Sequence, residues 1–357
     1  MNPLHWAARH IPPIRRLSEG RDALLRENDG LRAALARQQA STPALSAADV
    51  AAARLEGERL GRATTLEAAL GVDADRAAVI RLAAQQNRLF TTDYAYFPHE
   101  RPLADSASGR QLAARFTADI PRISETLRGI AWHAERLGRI GRTADSPIEP
   151  NWDNPWFPPF DGASLYGILA ETAPRRFIEV GSGISTRFAR RAIRDLGLAT
   201  QIISIDPHPH NPLEGLCDET IVARMEDMPA SFWAELIPGD MVFIDNSHRS
   251  FPGSDVTVFF GEVMPALPQG VVFGIHDIFL PHDYPEAWKE RFYSEQYLLM
   301  TYLLGGAGRD EILLPVNWAS SQPELHGILD PLWKIPGLFD GLTTHGGCFW
   351  MRRGPTA

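Results

Sequence analysis

Ten residues, Phe177-Ile178-Glu179-Val180-Gly181-Ser182-Gly183-Ile184-Ser185-Thr186, constrain this chain more than any others. Phe177, Ile178 and Val180 make a short β-type run bounded by Pro174 and Gly181. Beyond the glycines, Phe188, Ala189, Ala192, Ile193 and Leu196 recur at helical spacing until Gly197. The pattern predicts a strand, a glycine turn and a helix capped by Ser185 or Thr186. Backbone N–H groups at such a helix start point outward, and no side chain blocks the approach. The turn therefore suits a nucleotide-like ligand.

Downstream, apolar runs alternate with helical patterns. Gln201–Asp206, Glu219–Arg224, Asp240–Asp245, Gly270–Asp277, Ile312–Val316 and Gly347–Met351 read as further strands, the last closing the sheet. Seven such runs predict an α/β, Rossmann-like, mostly parallel seven-stranded sheet with helices on both faces. Polar residues fall repeatedly at the carboxyl ends of these strands, where open α/β sheets bind ligands. Just upstream, Pro150–Phe160 packs prolines and large aromatics together, which excludes a helix or a central strand. Two readings stay open for it: a lid or wall over a pocket, and a strap across the end of the sheet. Asp161 is expected to cap the helix that follows.

The 357 residues suggest more than one unit, and three regions are expected: 1–40, 41–146 and 147–357. In the first, Ile14, Leu17, Leu24, Leu31 and Leu35 occupy heptad a and d positions, with Arg21 and Asn28 at the other a positions. This is a short coiled coil, and so a possible homodimer through residues 14–35, or a single amphipathic helix. Residues 73–90 and 109–140 are helical by pattern, which makes the whole N-terminal region α-helical. A net charge of -9 argues against broad binding to nucleic acid. Cys217 and Cys348 alone exclude a disulfide framework. No apolar run reaches the length of a membrane span, and residues 1–20 lack a signal-peptide core, so a cytoplasmic location is expected.

Asp206 lies 23 residues after Gly183, the spacing at which a carboxylate meets a ribose diol. That fits NAD(P) and adenosyl donors alike. Two details tilt the choice. Thr186 stands where the dinucleotide pattern has its third glycine, and Glu179 sits two residues before Gly181. A buried acid beside the turn suits a ligand with a cationic amino group better than a pyrophosphate.

The combination resembles the class I S-adenosylmethionine (SAM)-dependent methyltransferases over roughly residues 150–357. By that resemblance Glu179, Gly181, Ser182 and Gly183 hold the amino-acid end of SAM. Asp206 takes the ribose, and Glu226 and Asp227 meet the adenine amino group, with Asp227 the preferred acceptor. Asp245 belongs to the motif after the fourth strand. Phe243-Ile244-Asp245-Asn246-Ser247-His248, together with Gly274-Ile275-His276-Asp277, is similar to a bacterial subgroup that includes metal-assisted sugar O-methyltransferases. The resemblance implies a base at His248 and a divalent cation held by Asp245, His276 and Asp277. This chain carries His276 where that subgroup commonly has an acid.

The residues support that chemistry in their own right. A hydroxyl acceptor must lose its proton as charge develops, to a base or with the help of a cation. An imidazole titrates near neutral pH, so His248 suits the base, with Asp245 beside it. Asp245, His276 and Asp277 would take Mg, Mn or a softer metal, since imidazole favours the softer ions. The expected activity is methylation of a hydroxylated small molecule or sugar. The alternatives are an NAD(P)-dependent oxidoreductase and a non-catalytic coiled-coil scaffold on a degenerate Rossmann-like domain. His208, His210 and His345 read as loop residues. Trp288, Phe292, Tyr293 and Tyr297 read as one helical stripe of core, with Glu295 or Gln296 facing a polyhydroxylated acceptor.

Overall fold

The computed structural model describes residues 53, 57, 60, 61, 74–85, 99, 101–144, 146–209 and 214–355. The heptad segment 14–35 and the aromatic loop 91–98 lie outside them. The chain divides into two compact units, Met1–Phe97 and Pro98–Ala357. Helix α1, Ala74–Gln85, belongs to the first and falls within the helical pattern seen over 73–90, whose remaining residues lie outside the described ones.

The second unit begins well before the expected boundary at 146/147. Within it, α2 (Ala107–Ala118), α3 (Ile120–Ala131) and a four-residue helical turn at Ala134–Leu137 occupy the stretch expected to be helical over 109–140. Pro121 opens α3, where its missing N–H costs nothing. Ser106 caps α2 by accepting from the Gly109 N–H at 3.0 Å. Both helices face the sheet. Phe116 of α2 packs on Trp318 and Phe349, and Ile123, Leu127 and Ile130 of α3 are fully buried. Ile130 comes so close to helix α4 (Pro159–Thr172) that a Cβ on Gly167 would stand 2.5 Å from it. The apolar stripe of α3 is buried on this core.

The sheet has the expected seven strands: β1 (Arg176–Val180), β2 (Gln201–Ile205), β3 (Glu219–Ile221), β4 (Met241–Ile244), β5 (Val272–Ile275), β6 (Glu311–Pro315) and β7 (Phe349–Arg352). Their order is β3-β2-β1-β4-β5-β7-β6. β3, β2, β1, β4 and β5 run parallel; β7 is antiparallel to both β5 and β6. The last strand therefore does not close the sheet at its edge but is inserted between β5 and β6. β4 and β5 are buried along their whole length, as strands covered on both faces must be. The edge strand β3 is mostly exposed. No helix among the described residues is long and apolar enough to cross a membrane.

Helix α5, Ile184–Leu196, follows the glycine turn and ends at Gly197 in the left-handed conformation, as the sequence predicts. Its cap differs from expectation. Gly183 is the N-cap residue, and the Thr186 hydroxyl reaches back to accept from the Gly183 N–H at 2.9 Å. Helix α6, Glu295–Leu304, is also shorter than the stripe from Trp288 implies. Glu286–Arg291 is a 3-10 turn, and Phe292 at φ 55° breaks the path between the two.

Candidate active site

Register lines up the strand ends. Val180 pairs with Ile205 on one side and Ile244 on the other, and Ile244 pairs with Ile275. The ladder then runs one residue further: Gly181 N–H donates to the Ile205 carbonyl, Asp245 N–H to Val180 and His276 N–H to Ile244, at 2.9–3.0 Å. Asp206, Gly181, Asp245 and His276 therefore stand in a row along one edge of the sheet.

On the β1/β2 side the row is open. Gly181 has φ +80°, and a Cβ there would fall 1.9 Å from the Asp245 carbonyl oxygen. Only glycine lets the two strand ends approach so closely. A Cβ on Gly183 would meet nothing within 4 Å, which leaves a cradle above the turn. Half-buried Asp206 accepts from the Ser182 N–H at 3.0 Å and its hydroxyl at 2.9 Å through one oxygen, and from the His208 N–H at 2.8 Å through the other. Glu179 is fully buried. Its Oε2 accepts from the Thr186 hydroxyl, and its Oε1 has no partner. Burial pushes its carboxyl up to about 8 against the pull of the Ser185 and Thr186 hydroxyls. Farther out, both oxygens of Asp227 are taken by Arg224, at 2.7 and 2.8 Å. Glu226 is the better sheltered of the pair, its side chain 18% exposed against 52% for Asp227.

On the β4/β5 side, acids and imidazoles alternate. His248 Nε2 lies 3.3 Å from Asp245 Oδ1 and 3.5 Å from Asp277 Oδ2. His276 Nδ1 lies 3.3 Å from the same Asp245 oxygen and 3.8 Å from Asp277 Oδ1. The four residues expected from the sequence thus converge. Two buried acids back the outer ring nitrogens. Glu295 Oε2 is 2.9 Å from His248 Nδ1, and Asp161 Oδ2 is 3.4 Å from His276 Nε2. The second contact is within ion-pair range but lacks hydrogen-bond geometry, so His276 Nε2 has no hydrogen-bond partner. His248 and Asp277 both sit at φ 57°, a strained setting for residues with a Cβ that is held in place by their contacts.

Sequence reasoning missed these backing roles. Asp161 was expected as a helix cap; instead it lies inside the first turn of α4, fully buried, and accepts from the N–H groups of Gly347 and Cys348 at 2.7–2.9 Å. Glu295 was expected to face an acceptor; instead it holds His248, and Asn246 Nδ2 donates to its second oxygen at 3.1 Å. Gln296 braces loops, accepting from the Phe279 N–H and donating to the His282 carbonyl. The only sequence signal for Glu295 was a carboxylate within an apolar helix.

Charge follows geometry. Asp245 and Glu295 hold the His248 imidazole well above its ordinary range, although burial alone would lower it. His276 is held up in the same way by Asp245, Asp277 and Asp161. Burial raises Asp245 too, but the two imidazoles outweigh it and keep the carboxyl well below the usual range. Burial raises Asp277 and Glu295.

The Pro150–Phe160 segment forms a strap with one wall residue. The Asn154 side chain pins its backbone, accepting from Phe157 N–H at 2.7 Å and donating to the Asn151 carbonyl at 2.8 Å. Trp152 and Phe157 are buried, and the Phe157 ring sits 5.2 Å from that of His276.

Residues 178–278, which span both halves of this edge, match the family described as a methyltransferase domain. Those residues carry a methyltransferase domain, which supports an enzyme that transfers a methyl group from SAM. The oxidoreductase and scaffold alternatives give way to that finding. No curated protein matches the sequence. Among solved structures, it is similar to an SAH-bound methyltransferase of Podospora anserina at 14% identity, covering 73% of this chain and 100% of that one, with a TM-score of 0.35. A putative O-methyltransferase from Klebsiella pneumoniae is similar at 14% identity, with 70% and 97% coverage and a TM-score of 0.33. An O-methyltransferase family 2 protein from Planctomyces limnophilus, in complex with apigenin, shows 15% identity, 78% and 69% coverage and a TM-score of 0.28.

The methyltransferase's own residues fit the methyl donor. The unpartnered Glu179 Oε1 is a buried acceptor beside an open cradle, suited to an ammonium group, and the donor carries one. A divalent cation also has donors here. Asp245, His276 and Asp277 offer two carboxylates and an imidazole, with Asp161 within ion-pair range of the other ring nitrogen but not hydrogen-bonded to it. Among the described residues, the group of three whose ligand atoms all lie within 4.8 Å of one another is Asp161, His276 and Cys348, on the other side of the same imidazole.

Proposed function

We propose that this methyltransferase methylates a hydroxyl of a small molecule, a sugar among the candidates, with His248 as general base. One observation carries the reading: a buried imidazole at the sheet edge whose Nδ1 is held by Glu295 and whose Nε2 faces Asp245 and Asp277. Asp245 and Glu295 favour a protonated ring, so His248 must first release its Nε2 proton to solvent. With Nδ1–H still donated to Glu295, the neutral ring then has its lone pair on Nε2, which takes the hydroxyl proton. Glu295 and Asp245 then stabilise the imidazolium that forms. When bound, SAM supplies a methyl group on a cationic sulfur for in-line displacement, so the protein's main task is positioning. Gly181, Ser182 and Gly183 would hold its amino-acid end, Glu179 would accept from its ammonium group, and Asp206 has the chemistry for its ribose hydroxyls. Glu226 is a freer acceptor than Asp227 for the adenine amino group, because Arg224 engages both oxygens of Asp227. A cation held by Asp245, His276 and Asp277 would lower the pKa of the acceptor hydroxyl.

His248→Ala tests the reading, with methyl transfer assayed across catechols and monosaccharides. Turnover should fall by more than ten-fold, on the order expected for losing a general base, while SAH affinity measured by calorimetry is kept. Activity that survives His248→Ala but vanishes with a chelator would sink it and assign the chemistry to the cation.

A further inference from the structure

We infer that the acceptor carries an anionic oxygen group, a carboxylate or phosphate, read by Arg249 and Arg291 beside the base. The inference rests on the reading of His248 as the acceptor-side residue. Tyr293 links the two places: its ring lies 4.6 Å from the His248 ring. Around it, the Arg249 guanidinium stands 5.1 Å from the Tyr293 ring centre, and that of Arg291 stands 4.1 Å from the Trp288 ring and 5.7 Å from Tyr293. Cation–π contact fixes the two guanidinium planes without neutralising them.

Neither arginine has an acidic partner within ion-pair distance among the described residues. Arg224, by contrast, is engaged by Asp227. Arg249 is tied only to backbone carbonyls, donating from Nε to Arg291 at 2.8 Å and from Nη1 to Ser247 at 3.0 Å. Those bonds lock its orientation and leave its charge unmatched. The two segments that carry the arginines are held together: Ser294 N–H donates to the His248 carbonyl at 2.8 Å, and Ser250 N–H donates to the Ser294 hydroxyl at 2.9 Å. The arginines are thus preorganised against the base.

Their setting matters. Asp245, Asp277 and Glu295 crowd the base with acids, so an acceptor with a negative group cannot place it there. Two unmatched guanidiniums next door offer a counter-charge, in the fork geometry that favours carboxylate and phosphate oxygens. Trp288 and Tyr293 give the rest of such a molecule a flat apolar wall.

Three matched probes test this on the SAH-loaded full-length protein: benzoate, phenyl phosphate and benzyl alcohol, titrated by NMR. We expect one of the two anions to bind at least ten-fold more tightly than benzyl alcohol. That advantage should be lost in Arg291→Gln and partly kept in Arg291→Lys, with SAH affinity unchanged in both. Phenyl phosphate ahead of benzoate assigns a phosphate acceptor, and the reverse order a carboxylate. Anions that bind no better than benzyl alcohol, or an advantage that survives both Arg291→Gln and Arg249→Gln, overturn the inference. Failure of the His248 reading shows instead in turnover, which these titrations do not measure.

Discussion

The two halves of the sheet edge are built on opposite principles. On the β1/β2 side, the glycine turn leaves space uncovered, and the buried Glu179 keeps one carboxylate oxygen without a partner. On the β4/β5 side, His248 and His276 are enclosed, each backed by a buried acid and facing two more. The open half is suited to receive a ligand whose recognition is local. The enclosed half must hold side chains in fixed places and charge states, which takes contacts from distant parts of the chain. Recognition can be written in a loop; preorganisation needs a fold.

Gly181→Ala should break both halves at once. Its Cβ meets the Asp245 carbonyl and its φ of +80° suits only glycine, so strain of about 1–3 kcal/mol adds to a backbone clash. SAH binding by calorimetry should weaken at least 100-fold and the melting temperature should fall; near-normal binding would mean that the two strand ends are not held together through this residue. Glu295→Gln sharpens the contrast by touching only the enclosed half. It keeps the shape but removes the charge that holds Nδ1 of His248, and should lower kcat on the order of ten-fold with SAH affinity unchanged. A loss in SAH affinity of the same size would place Glu295 in binding instead.

Asp206→Ala is the mirror experiment. It should weaken SAH binding about ten-fold, the size of a hydrogen bond to a charged group, and leave kcat at saturating SAM within two-fold. A further test concerns Glu179. Its folded-state carboxyl is raised by burial to about 8 from an ordinary 4.5, so the unfolded chain loses this proton first as pH rises. The apo protein should therefore lose stability from about pH 5 to pH 8, and thermal melts of Glu179→Gln should show a shallower decline. An unchanged slope would show that Glu179 stays ionised in the folded protein.

The legible half of the site is the contiguous half. Glu179, Gly181 and Asp206 announced themselves because strand, turn and helix signals surround them within a few residues. Asp245, His248, His276 and Asp277 were also visible, since each follows an apolar strand. Asp161 and Glu295 were not, because each looks like an ordinary helix residue until the fold brings it to an imidazole 115 or 47 positions away in the chain. The aromatic stripe from Trp288 was misread for a related reason: apolar spacing does not reveal the left-handed break at Phe292.

The sequence by itself determined the sheet, its glycine turn and the row of polar residues at the strand ends, because these follow from local periodicity and from what glycine permits. Tertiary structure decided the inserted antiparallel β7, the start of the second unit at Pro98, the buried acids behind both imidazoles and the two unmatched arginines. Those features depend on which faces meet. Burial, charge pairing and the pKa values they set arise only when residues far apart in the chain share one desolvated space.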